Sequence, residues 1–109
     1  MQAFFDAART GDTERLHRFV HDNVDLESRD DHGNTALILA AREGHADCVQ
    51  LLLDANADVN DVDHIGYTAL IWAAARGHLQ CVQLLVDTGA AVEATDEDGD
   101  TALLWAARN

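Results

Sequence analysis

A spacing of 33 residues runs through the chain and limits what it can fold into. The stretch DHGNTALILAAREGHADCVQLLLDANADVNDVD starts at Asp31, HIGYTALIWAAARGHLQCVQLLVDTGAAVEATD at His64, and EDGDTALLWAARN at Glu97. Gly33, Gly66 and Gly99 share a register, as do Thr35, Thr68 and Thr101, and Leu37, Leu70 and Leu103. The pairs Ala40-Ala41, Ala73-Ala74 and Ala106-Ala107 follow. The N-terminal residues fall in the same frame, with Ala7-Ala8 on Ala40-Ala41, Gly11 on Gly44 and Phe19 on Leu52. No linker or low-complexity segment is left over. A period of this length marks one small unit stacked on copies of itself. It predicts a single domain over 1–109, with a capping unit at 1–30, full units at 31–63 and 64–96, and a truncated unit at 97–109.

Each period carries the same local signals. Thr35 follows a turn and can cap a helix through its hydroxyl. ALILAARE then places Leu37, Ala40, Ala41 and Gly44 at helical spacing, and Gly44 stops the helix. A second helix, from about His45 to Asp54, carries Val49, Leu52 and Leu53 on one side. Asp47 lies near its start, where the helix dipole favours negative charge. It ends at Asn56, in a slot held elsewhere by Asn23 and Gly89, residue types that tolerate the left-handed conformation. The segment ADVNDVD follows as an extended arm. Helices this short are marginal alone, so stability has to come from stacking. The expected architecture is an all-α solenoid of about three and a half units, with turn tips along one edge.

These residues resemble the ankyrin repeat family. The match rests on Gly33/Gly66/Gly99, Thr35-Ala36-Leu37 and its copies, Gly44-His45, Gly77-His78, Leu52-Leu53, and Asn56-Ala57-Asp58-Val59-Asn60. The chain departs from the family where proline and histidine usually stand. Ala36, Ala69 and Ala102 replace the proline, and Ile38, Ile71 and Leu104 replace the histidine. The first change gives up preorganisation at the helix start. The second removes a hydrogen bond that the family uses between units, and extra apolar burial is the expected compensation.

The resemblance implies a non-catalytic protein–protein interaction scaffold, bound across the turn tips and the concave side of the first helices. Here those places hold Arg29, Asp31, His32, Asn34, Arg42 and Glu43, then Val62, His64, Ile65, Tyr67 and Arg76, then Thr95, Glu97, Asp98 and Asp100. They differ from copy to copy while the framework repeats. Ile65 and Tyr67 are the expected anchors, being large and apolar at exposed tips. The segments 25–31, 58–63 and 93–100 hold 12 of the 20 carboxylates, so a basic or mixed protein surface is the expected partner. Asn60 resembles the asparagine hydroxylated in some ankyrin repeats of animal cells. Its slot holds Glu27 and Glu93 in the other copies.

Composition narrows the field. The net charge of −13, with every basic residue an arginine, disfavours nucleic acid and anionic membrane surfaces. No apolar run approaches a membrane span, and MQAFFDAARTGD has no secretory pattern. Two cysteines without a disulfide framework fit a reducing compartment, so the chain is placed in the cytoplasm, with the nucleus as the alternative. Cys48 and Cys81 share a slot one period apart; neighbouring helices lie about 10 Å apart. That separation is too great for a disulfide. The acidic run DEDGD invites calcium, yet a loop with Gly99 sixth would put Trp105 where a bidentate glutamate is required. No CxxC spacing, phosphate loop or nucleophile constellation occurs, and Ser28 is the only serine. No cofactor is expected. His45 and His78 are expected to bond local backbone at the inter-helix turn. Trp72 and Trp105 are read first as packing residues whose edges contribute to a groove floor.

The two ends read differently. Arg15 and Arg18 occupy the slots of Cys48/Cys81 and Leu51/Leu84, which fits a solvated N-terminal cap. The last unit has one helix, so apolar surface there predicts a longer array, a homodimer through the C-terminal end, or a lone helix that caps the stack by itself. A self-assembling piece of this kind, natural or designed, is the alternative to the interaction scaffold.

Overall fold

Thr35 and Thr68 set the first turn of the helices they precede. Their Oγ1 atoms accept the N–H of Ile38 at 3.2 Å and of Ile71 at 3.1 Å, as the sequence predicts. The computed structural model describes residues 1–90, with helices in three pairs. These are α1 (Gln2–Thr10) and α2 (Thr13–His21), α3 (Ala36–Glu43) and α4 (Ala46–Asp54), and α5 (Ala69–Ala75) and α6 (Leu79–Asp87). No strand occurs among the described residues, and one isolated antiparallel bridge joins Val62 to Thr68. The expected all-α repeat solenoid is the observed architecture.

Helix ends fall where the sequence places them. Gly44 ends α3 with φ of 80°, a conformation that costs a residue with a Cβ. Beyond α2 and α4, Asn23 and Asn56 take the left-handed region at φ 61° and 71°. None of the described helices exceeds nine residues, so none is long enough to stand alone.

Packing supplies what length cannot. The first helices α1, α3 and α5 form one layer and α2, α4 and α6 form the other. Ala7, Ala8, Ala40, Ala41, Ala73 and Ala74 are completely buried, and their small side chains let the first helices approach. Leu16, Val49, Leu52 and Leu85 fill the second layer, also fully buried. Burial of a leucine such as Leu52 is worth about 1.5–3 kcal/mol. Ile38 and Ile71, in the slot where the family carries histidine, are buried, which supplies the expected apolar compensation. In the N-terminal unit Arg15 is exposed where Cys48 and Cys81 are buried, and Arg18 is exposed where Leu51 and Leu84 are half-buried.

One expectation needs correction. The His45 side chain does not bond local backbone. Its Nε2 lies 2.9 Å from the carbonyl oxygen of Arg9, 36 residues back in the preceding unit. Gly11 makes room for this, because a Cβ there would sit 2.7 Å from the His45 ring. The ring of His78 lies across Gly44 in the same way, 2.6 Å from where a Cβ would stand. The glycine–histidine pair is thus a contact between units as well as a turn.

Candidate functional site: the turn tips and the Trp72 groove

Each of the two described tips is organised by one aspartate. Asp63 donates its N–H to the Tyr67 carbonyl at 3.0 Å, and its Oδ1 accepts the N–H groups of Ile65 and Tyr67 at 3.1 and 2.9 Å. Asp30 does the same one unit earlier, accepting from His32 and Asn34, each at 2.9 Å. Burial alone pushes the Asp30 carboxyl up, but the backbone N–H groups of Asn34 and His32 and the Asn34 amide outweigh it, holding it below its ordinary value. These aspartates were not among the predicted site residues. The signal is in the sequence, since an aspartate stands three residues before the tip glycine in every copy: Asp30, Asp63 and Asp96.

The second carboxylate oxygen separates the two tips. Asp30 Oδ2 takes the Asn34 side-chain amide at 3.2 Å, whereas Asp63 Oδ2 takes Trp72 Nε1 at 2.8 Å. Trp72 occupies the slot of Leu39, which is buried, and is itself half-buried. Its ring centroid lies 4.9 Å from that of Tyr67. The guanidinium carbons of Arg42 and Arg76 lie 5.5 and 5.6 Å from the same ring. Arg42 also donates from Nε to Glu43 at 3.0 Å. Around this cluster is a groove of about 230 Å³ lined by His32, Asn34, Arg42, Asp63, His64, Ile65 and Trp72.

The structure sorts the expected contact residues. It brings His32, Arg42, His64 and Ile65 to one groove, with Arg76 against the same tryptophan. Ile65 is 47% exposed and Val62 43%. Asp31, His32, His64 and Arg76 are exposed, and Glu43 is half-buried. His64 also donates its N–H to the His32 carbonyl at 3.2 Å, tying one tip to the next. Three residues fill other roles than expected. Asn34 is buried, its amide spent on Asp30. Tyr67 is half-buried against Trp72 instead of standing free at the tip. Arg29 clasps two units: it donates to the carbonyls of Gly33 and Val62 and lies 3.4 Å from Asp61. Thr95, Glu97, Asp98 and Asp100 lie outside the described residues.

The arms are acidic and close together. Glu27 Oε2 accepts the Asp58 N–H at 2.9 Å. Burial, with Asp61 and Asp58 nearby, raises the Glu27 carboxyl, although that hydrogen bond opposes the shift. Asn60 is exposed on the same arm, its N–H donated to Asp58 Oδ1 at 2.9 Å. Among the described residues no cluster of histidine, cysteine or acidic side chains is arranged to hold a metal ion. Cys48 and Cys81 are buried free thiols. Burial first, then nearby charges beginning with Asp47, pushes Cys48 up to about 11, so it stays a protonated, unreactive thiol at neutral pH. Among the described residues no helix is long and apolar enough to cross a membrane.

Comparison with known families agrees with this geometry. The family described as "Ankyrin repeats (many copies)" matches residues 4–53, 40–86 and 70–109. No curated protein matches the chain.

Proposed function

The chain belongs to the ankyrin repeat family, whose members are generally protein–protein interaction modules, and on that premise we propose that it binds a protein of basic or mixed charge across its turn tips and the Trp72 groove. One observation carries the reading. Side chains that differ between copies, His32, His64, Ile65 and Arg42, meet around one groove on the side of α3 and α5. Folding fixes the glycines, threonines and alanines of each copy and leaves these free to vary. Ile65 is the anchor of choice, because it is exposed beside an aromatic floor. The acidic arms give long-range attraction for a basic partner. No catalytic chemistry is assigned, since the ankyrin fold is typically a binding scaffold.

Affinity capture from a lysate with wild type and Ile65→Ala tests this. The expected result is a captured protein whose affinity falls by about 1–2 kcal/mol in the variant. Capture unaltered by the substitution contradicts the placement of the face.

A second reading has its own observation. Leu79 and Val86 of α6 are 65% and 41% exposed, whereas Leu53, the counterpart of Val86 one unit earlier, is 7% exposed. An apolar face of this kind supports homodimerisation. Light scattering across a concentration series separates the two readings, since a monomer at every concentration removes the dimer.

A further inference from the structure

Seven arginines face twenty carboxylates in this chain, yet two of the seven converge on a single tryptophan. Arg42 comes from the end of α3 and Arg76 from the end of α5, so neighbouring units each supply one cation. Arg76 makes no ion pair among the described residues, and Arg42 spends only its Nε edge, on Glu43. The acidic member of the groove wall is already satisfied: Asp63 accepts three hydrogen bonds, from Ile65, Tyr67 and Trp72. Its capacity to attract a further cation is therefore small.

A half-buried tryptophan beside acidic tips would ordinarily be read as a seat for a partner's lysine or arginine, held over the ring. That seat is taken by the protein's own guanidinium groups. A partner cation arriving there would meet Arg42 and Arg76 and be repelled. What these groups do present are N–H donors held in place by the ring, in the planar fork that matches a carboxylate. The same groove carries the imidazoles of His32 and His64, and the exposed Ile65 at its rim.

We infer that the groove at Trp72 seats one carboxylate of an otherwise basic partner segment, held by Arg42 and Arg76. This deepens the interaction reading and rests on it. The two fields act at different ranges. The acidic arms gather a basic segment from a distance, and the groove then selects, at contact, a segment with an aspartate or glutamate at one position. A wholly basic segment leaves Arg76 and the outer N–H groups of Arg42 without a carboxylate and places like charge beside them.

Selection from a random-sequence peptide display library tests the inference without a known partner. Wild type and the Arg42→Gln/Arg76→Gln double variant are screened in parallel, with circular dichroism confirming that both are folded. The expected wild-type pool is rich in basic residues and has an acidic residue at one fixed position. Changing that residue to its amide in a synthetic peptide should weaken binding roughly tenfold, as loss of a charge-assisted hydrogen bond pair does. In the double variant the preference should drop below about twofold, with the basic enrichment kept. A basic pool with no fixed acidic position, or an acidic preference that survives in the double variant, overturns this inference alone. A pool with no enrichment at all overturns the binding face and the inference together.

Discussion

Asp63 shows how much one side chain does in a repeat tip. It holds the turn through two backbone N–H groups and positions Trp72 through a third bond, and it is 8% exposed. Asp63→Ala leaves three donors without their acceptor. Urea denaturation should show a loss of about 2–3 kcal/mol, the cost of orphaned, partly buried donors. Asp30 allows a pH test. Its folded pKa lies below the ordinary 3.8, so its charge stabilises the fold above that value, and the contribution disappears as pH falls through the lower folded value. The stability gap between wild type and Asp30→Asn should be largest near neutral pH, at no more than about 1 kcal/mol after solvent screening. It should close in acid below pH 3.8. A gap that widens in acid would give the opposite sign to the shift.

At the scale of elements, helix ends and turns were legible in the sequence because their causes are local. The caps at Thr35 and Thr68, the stop at Gly44 and the left-handed Asn56 follow from hydroxyl reach and backbone sterics within a few residues. What joins one unit to the next was less legible. The partner of His45 is Arg9, and Arg29 reaches Val62, and neither pairing is implied by neighbours in the chain. Asn34 and Tyr67 share one variable slot, yet both turn inward, because the aspartate four residues earlier captures their backbone N–H groups. Variation between copies thus overstated which of these residues face solvent. Two glycines separate local from inter-unit cost. Gly66 has φ of 88° with nothing within 4 Å of a built Cβ, so Gly66→Ala should cost only backbone strain, about 1 kcal/mol. Gly44 has φ of 80° and the His78 ring at 2.6 Å, so Gly44→Ala should cost clearly more, about 2–3 kcal/mol. Equal losses in thermal melts of the two variants would mean that the histidine contact does not hold units together.

Across the whole molecule, framework and variable positions divide the work. Buried alanines and leucines in register hold short helices upright, and the same stacking sets the tips side by side. Ile65 and Arg76 then stand exposed at positions where stability asks little of them. Exchanging residues between copies tests this division most directly. Ile65 and Arg76 occupy the slots that His32 and Glu43 hold one unit earlier. The double variant Ile65→His/Arg76→Glu should therefore melt within a few degrees of wild type, as surface substitutions do. Its affinity for the captured partner should fall at least about tenfold, measured by calorimetry beside the melt. Affinity kept at the wild-type level, or a melting temperature that collapses, would contradict the claim that this face is reserved for binding.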